Sequence, residues 1–148
     1  MLAALASGKV STYVTDFPSD AVIGEKGVVA IPHLGASTPE SEDNCAYMAA
    51  IELIDYIENG NIKNSVNLPD VEMSASGTKI CIIHKNIPTL ISQITAALGS
   101  EKINIENMLN KSKKDYAYTM MDVTGNVTDA VVSMLTSIEG VIKVRVIK

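Results

Sequence analysis

The chain has no tryptophan and a single phenylalanine among its 148 residues. Any core it builds must therefore be aliphatic, with its seven methionines as flexible fillers of irregular gaps. Cationic charge is also short. Lys and Arg number 12 against 17 Asp and Glu, a net charge of −5, which excludes the basic stripe of a nucleic-acid footprint and argues against an anionic membrane surface. Cysteine is scarce: Cys45 and Cys81 lie among apolar neighbours with no partner at metal-ligand spacing. They are expected to be reduced, buried thiols, so no disulfide and no metal site is expected. No run approaches the ~18 apolar residues of a membrane span. The apolar start at residues 1–6 is too short for a signal peptide and has no basic residue before it. The expectation left by these absences is a cytoplasmic globular chain with no nucleic-acid or membrane partner.

What is present divides near residues 68–77, where Pro69, Asp70, Glu72, Ser74, Ser76 and Gly77 break the apolar patterning as a linker does. Upstream, residues 2–6 read as the end of a helix stopped by Gly8. Residues 10–15 and 28–31 read as short strands, the second apolar throughout, as in parallel sheets covered on both faces. A long helix follows from about Pro39 to Glu58. Ser37 or Thr38 caps it, Pro39 fits its first turn, and Glu40, Glu42 and Asp43 suit the positive end of its dipole. Ala46, Ala49, Ala50, Leu53, Ile54 and Ile57 form an apolar stripe opposite Glu52, Asp55 and Glu58, and Asn59 with Gly60 ends the helix. Two strands cannot cover both faces of a parallel sheet, so this half reads as part of a larger α/β, Rossmann-type domain. Its stripe is expected to pack against the downstream domain, a second copy, or both.

Downstream the pattern is complete. Residues 78–84 form a strand, and 88–98 a helix with Leu90, Ile91, Ile94 and Leu98 inward, closed by Gly99. Strands at 103–111 and 116–123 flank a polar hairpin at 112–115. A second helix spans 128–138 with Val131, Val132, Leu135 and Ile138 inward, closed by Gly140. In the last strand, 141–147, Ile142, Val144 and Val146 alternate with Lys143 and Arg145. The order βαββαβ is a split βαβ repeated, giving an antiparallel four-stranded sheet with both helices on one face. The fold class is therefore α+β: a ferredoxin-like domain at 78–148, a linker at 70–77, and a partial α/β segment with a long helix at 1–69.

Two stretches carry a family resemblance. Ile31-Pro32-His33-Leu34-Gly35-Ala36-Ser37-Thr38, the acidic helix start at 40–44 and Asn64 through Pro69 resemble the final nucleotide-domain segment of D-2-hydroxyacid dehydrogenases, most closely the phosphoglycerate branch. Ile83-His84-Lys85-Asn86-Ile87-Pro88 with Ile103-Asn104-Ile105 resembles the amino-acid-sensing ACT domain that ends many members of that branch. Together the two cover nearly the whole chain.

The first resemblance implies an NAD-dependent oxidoreductase acting on 3-phosphoglycerate. His33 matches its general acid/base, a role that suits imidazole because its proton affinity lies near working pH. Asp16 matches an acidic residue on the nicotinamide side, and Gly35 a backbone position that lets the cofactor approach. The family's glycine-rich turn, ribose-binding acid, substrate arginine and histidine-orienting carboxylate are expected upstream of residue 1. NAD thus belongs to the intact enzyme, and this chain alone is expected to bind no cofactor and to be inactive.

The second resemblance implies L-serine or another small amino acid as effector at the shared edge of a homodimer or higher homo-oligomer. His84 and Asn86 of one subunit and Asn104 of the other would converge on the ligand's carboxylate, ammonium and hydroxyl. The amides at 87–90, opening a helix, favour the carboxylate. Thr89 departs from the glycine usual after that proline. Two alternatives stay open: a stand-alone amino-acid-binding regulatory module, and a purely structural ACT dimer.

Overall fold

The computed structural model describes every residue except Ala36, Ala75 and Ser76. Ala36 of the first motif and Ser76 of the expected linker therefore lie outside the described residues. By its contacts the chain divides into Met1–Tyr47 and Met48–Lys148.

Met1–Tyr47 opens with helix α1 (Leu2–Ala6), stopped where Gly8 takes φ +71, the left-handed conformation that costs glycine nothing. Strands β1 (Tyr13–Thr15) and β2 (Val28–Ala30) pair in parallel, with Val14 opposite Val29. Strand β1 begins later than the sequence pattern suggests because the Val10 amide folds back onto the Ala4 carbonyl at 3.1 Å. Val14 and Val29 are 56% and 47% exposed, and Val22 is the buried hydrophobic among the described residues of this unit. Two three-residue strands do not by themselves make the Rossmann-type sheet expected of this segment.

Helix α2 (Pro39–Asn59) starts where the sequence places it. Thr38 caps it, its Oγ1 accepting from the Ser41 amide at 3.3 Å. The division between the two units falls inside this helix. Its apolar stripe does not pack on the sheet: Leu53, Ile54 and Ile57 are 60%, 52% and 62% exposed, which corrects the sequence-based expectation for the single chain. Glu52, Asp55, Tyr56 and Asn59 are the half-buried positions instead. The reason is hydrogen bonding. Asn61 Nδ2 donates to Asp55 Oδ1 at 3.0 Å and Asn64 Nδ2 to Glu52 Oε1 at 2.6 Å, so the polar side turns toward the segment that follows.

The rest of Met48–Lys148 runs β3 (Thr78–Lys85), α3 (Leu90–Ser100), β4 (Asn104–Lys113), β5 (Tyr116–Thr124), α4 (Asp129–Ser137) and β6 (Val141–Ile147). The sheet order is β4-β5-β3-β6, with every neighbouring pair antiparallel. This is the ferredoxin-like βαββαβ arrangement that the sequence pattern predicts. Ile80, Ile82, Met121 and Val123 of the sheet meet Leu90, Ile94, Leu98, Val131 and Leu135 of the two helices. Each such large side chain contributes about 1.5–3 kcal/mol by leaving water. Helix α3 runs through Gly99 to Ser100, so Gly99 does not close it. The reversal comes at Lys102, at φ +57.

Side chains alternate in a strand, and Cys81, Tyr118 and Met120 point to the other face of the sheet. There they bury against Ile62 and Val71, with Tyr56, Leu68 and Met73 alongside. Ile62 and Val71 exchange both backbone hydrogen bonds, at 2.8 and 2.9 Å. Much of the stretch from 61 to 73 is thus a cover for the sheet, where the sequence pattern suggested a connection beginning near 68. A single valine between Asp70 and Glu72 carries no periodicity to reveal this. Cys81 is buried as expected, but Cys45 is exposed, since it lies on the uncovered helix.

The last carbonyls of α2 have no partners within the helix, and side chains from three strands receive them. Arg145 Nη1 and Nη2 donate to Tyr56 O at 3.1 Å and Ile57 O at 2.9 Å, its guanidinium lying 4.3 Å from the Tyr56 ring centre. Lys79 Nζ donates to Asn59 O at 3.1 Å and Met73 O at 3.0 Å. Tyr118 Oη donates to Gly60 O at 2.7 Å. Gly60 is at φ +77, and a Cβ there would stand 2.6 Å from Cys81 Sγ and 3.0 Å from Ile147 Cδ1. Gly60→Ala is therefore expected to cost about 2–4 kcal/mol from overpacking and backbone strain together, read as a lowered urea midpoint. An unchanged midpoint would show that the helix end does not sit this closely on the sheet.

Burial pushes the Cys81 thiol above its ordinary 9.0, with the Tyr118 hydrogen bond and the Lys79 and Arg145 charges pulling it part of the way back. Burial, then Cys81, pushes the Tyr118 phenol above its ordinary 10.0. In the unfolded chain both groups ionise near those ordinary values, so above about pH 9 the folded state holds more protons and stability falls as pH rises. Urea unfolding is expected to be insensitive to these groups at neutral pH and to weaken above about pH 9, less steeply in Tyr118→Phe. A stability rising through that range would contradict the burial of this pair.

Candidate functional site

In Met1–Tyr47, the motif after β2 carries His33 and the turn after β1 carries Asp16. Parallel pairing of the strands sends both segments off the same end of the sheet. His33 Nδ1 donates to Asp16 Oδ2 at 2.7 Å, with the two side chains 54% and 51% exposed. The Phe17 ring tilts against the imidazole, the centroids 4.6 Å apart. Gly35 takes φ +44, and a Cβ there would lie 3.8 Å from His33 Nε2. All three residues singled out in this segment are thus together. Asp16, expected on the nicotinamide side, sits on His33 Nδ1, where a carboxylate fixes the tautomer and leaves Nε2 outward to take or give a proton. Among the described residues no group of three or more His, Cys, Asp or Glu is placed to hold a metal ion. No helix among them is long and apolar enough to cross a membrane.

In Met48–Lys148, the three candidate effector residues separate into two places. His84 is the penultimate residue of β3, in the strand the sequence pattern predicts, and is only 2% exposed. Its Nδ1 lies 2.8 Å from Lys85 O and its Nε2 2.8 Å from Thr119 Oγ1. Asn86 is exposed. Its amide donates to Asp115 O at 2.8 Å and its Nδ2 to Lys114 O at 3.1 Å. Asn104 opens β4, and its Nδ2 donates to Glu106 Oε1 at 2.7 Å. In the ladder His84 is opposite Ala117, whereas Asn104 is opposite Thr124. The ten residues from Asn104 to Lys113 along β4 span about 30 Å at roughly 3.3 Å per step, so one chain does not bring the trio together.

Thr89 stands before α3 at φ +69 with no side-chain cap bond, a left-handed conformation that strains a β-branched residue. This is the position at which the resemblance leads one to expect glycine. Sequence reasoning missed Thr119, which lies in an apolar run of β5 with no signal except that a hydroxyl there needs a buried partner. It also missed Lys79 and Arg145, whose charges suggest solvent-facing positions.

No family model matches the chain. Curated relatives do. The D-3-phosphoglycerate dehydrogenase of Haemophilus influenzae is 30% identical over 122 residues, covering 81% of this chain and 30% of that protein. The enzyme of the same name from Escherichia coli K12 is 26% identical over 123 residues with the same coverage. D-3-phosphoglycerate dehydrogenase 1 of Saccharomyces cerevisiae is 29% identical over 103 residues, 66% of this chain and 22% of that protein. The chain thus spans less than a third of the length of the curated relatives it matches. Among solved structures, the ACT domain from GTP pyrophosphokinase of Chlorobium tepidum is similar over 47% of this chain and 95% of its own, at 19% identity and a TM-score of 0.42. The regulatory subunit of aspartate kinase from Thermus thermophilus is similar over 54% of this chain and 56% of its own, at 12% identity and a TM-score of 0.43. Across four-fifths of its length, this chain is a relative of the D-3-phosphoglycerate dehydrogenases, in line with a C-terminal part of such an enzyme.

Proposed function

We propose that this chain is the effector-sensing part of an NAD-dependent D-3-phosphoglycerate dehydrogenase of L-serine biosynthesis, together with the segment that carries the proton-transfer histidine. In this reading residues 1–69 belong to the Rossmann-type nucleotide-binding and catalytic domains, 70–77 connect, and 78–148 form the ACT domain. His33 is the acid/base of the intact enzyme, oriented by Asp16, with Gly35 leaving room for the nicotinamide. Hydride transfer needs cofactor, substrate and proton relay held together, and this chain offers only the relay, so it has no dehydrogenase activity by itself. L-serine, or another small amino acid, is the effector, bound between the ACT domains of a cytoplasmic homodimer.

The observation that carries the effector reading is the position of β4 at the sheet edge, with Asn104 at its start and Asn86 beside its end, bonded to Lys114 O. An exposed edge strand offers unpaired backbone groups. If two copies pair β4 with β4 in antiparallel fashion, Asn104 of one comes to the Lys113 end of the other, next to Asn86 and His84. Two equivalent seams form, each with donors and acceptors for a zwitterion and the amides before α3 for its carboxylate.

Titration calorimetry with L-serine is expected to show binding at millimolar concentration or below, and sedimentation a dimer. Asn86→Ala and Asn104→Ala are each expected to weaken binding several-fold, by about 0.5–1.5 kcal/mol for an uncharged hydrogen bond. Mixing the two variants is expected to recover a fraction of the full-affinity sites, because one seam of each mixed dimer is intact. If mixing recovers none, the site is not shared between copies. If neither the wild type nor Thr89→Gly binds serine, serine is not the effector.

A further inference from the structure

The last residue of α2 and the glycine after it carry a chemistry of their own. Asn59 is the one asparagine of this chain followed directly by glycine. Where no side chain shields it, the amide nitrogen of the next residue can attack the asparagine carboxamide carbon. A nitrogen–Cγ bond forms, the Cγ–Nδ2 bond breaks, and ammonia leaves with the amide hydrogen. Water then opens the cyclic imide, to aspartate at the side-chain carbonyl or to isoaspartate at the main-chain carbonyl. Neither step needs a cofactor or an oxidant. In the folded chain both reacting groups are tied elsewhere. Gly60 is buried, and its amide donates to Tyr56 O at 3.0 Å. Asn59 Nδ2 donates to Asp55 Oδ1 at 2.8 Å, which holds the carboxamide toward the preceding turn. The two carbonyls are held as well, Asn59 O by Lys79 at 3.1 Å and Gly60 O by Tyr118 at 2.7 Å.

We propose that Asn59 is a spontaneous modification site gated by the contacts that hold the end of α2 on the sheet. Asn59 stays intact while those contacts are closed, reacts when they open, and once converted prevents them from closing again. This stands independently of the effector reading. Opening must free the Gly60 amide from Tyr56 and the carboxamide from Asp55, so the rate follows the population of the opened helix end. The product then works against reclosure. An aspartate at 59 sets a second carboxylate four residues from Asp55, on the same face of the helix, and takes away one of the donors to Asp55. It also places negative charge at the negative end of the helix dipole. Lys79, the cation at that carbonyl, is already shared between Asn59 O and Met73 O. An isoaspartate is worse. It adds a methylene to the main chain beside Gly60, where even a Cβ would stand 2.6 Å from Cys81 Sγ. Conversion therefore releases the helix end from the sheet in one direction only.

The test incubates the full chain in mildly alkaline buffer, folded and unfolded in guanidinium chloride, and follows the peptide containing Asn59 by mass spectrometry. Conversion adds one mass unit, and chromatographic retention separates isoaspartate from aspartate. The unfolded chain is expected to convert steadily, and the folded chain at least about tenfold more slowly. Tyr118→Phe and Arg145→Met, which remove donors to the helix end, are expected to fall between the two. Asn59→Asp supplies the aspartate product directly. It is expected to unfold at lower urea than the wild type and to lose protection from hydrogen exchange at the Gly60 and Ile62 amides. Asn59→Ser, which removes the carboxamide without adding charge, is expected to lose less. No conversion in the unfolded chain overturns the site. Equal rates in the folded and unfolded chain overturn the gate. An Asn59→Asp chain with the wild-type midpoint and protection overturns the one-way release. If the donor variants do not fold, the wild type in stepped guanidinium decides the gate alone, and conversion that fails to rise with denaturant overturns it.

Discussion

The carbonyl groups at the end of α2 are the constraint on which the architecture of Met48–Lys148 depends. The last carbonyls of a helix have no partners in a following turn, and where they come up against a sheet they are met by donors from it. Here the donors come from Lys79, Tyr118 and Arg145, one each from β3, β5 and β6, and they reach the carbonyls of Tyr56, Ile57 and Asn59 in the last turn and of Gly60 just beyond it. A favourable dipole interaction adds to this, since cationic groups belong at a helix C-terminus. The glycine follows from the same constraint. Its left-handed turn brings the chain within contact of Cys81 and Tyr118, where no side chain fits, and the chain then lays Ile62 and Val71 across the sheet's second face.

This explains which parts of the fold are legible in the sequence. The face covered by α3 and α4 is written as two clean periodicities, Ile80 and Ile82 in the strand and Leu90, Ile94 and Leu98 in the helix, because apolar burial alone decides it. The opposite face is held by polar side chains acting at long range, and periodicity does not report them. Lys79 looks like the solvent-facing partner of Ile80, and Arg145 alternates with Val144 and Val146 as an exposed charge would. Lys79 is recruited by the Asn59 carbonyl 20 residues away, and Arg145 by the Tyr56 and Ile57 carbonyls 89 and 88 residues away. Ile142, which the pattern groups with Val144 and Val146, is 49% exposed, because the register slips from Ile83 opposite Lys143 to His84 opposite Val141 and leaves Ile142 as the extra residue of a bulge. The long helix shows the same limit: its ends and caps follow local rules, while the choice of buried side was made by Asn61 and Asn64.

The candidate sites were legible to different depths. His33 and Gly35 stand in one motif and Asp16 lies 17 residues before His33, and the structure brings the carboxylate onto the ring nitrogen that orients it. Asn86 and Asn104 stand in a second motif, yet the ladder sets them at opposite ends of one sheet, and only the proposed pairing of two copies unites them. His84 was legible as a residue and not as an environment. Nothing in the order of residues 83–88 discloses that Thr119, 35 residues away, will engage its second nitrogen.

Hydrogen exchange of individual amides tests the central claim most directly, because it reads whether the end of α2 and the sheet open as one cooperative unit. The account predicts that the amides of Gly60, Ile62 and Val71 exchange as slowly as those of Ile80, Ile82 and Tyr118, and that they lose protection together with them in denaturant. If Gly60, Ile62 and Val71 instead exchange as fast as an unprotected chain while the strands stay closed, the helix end is not held by the sheet.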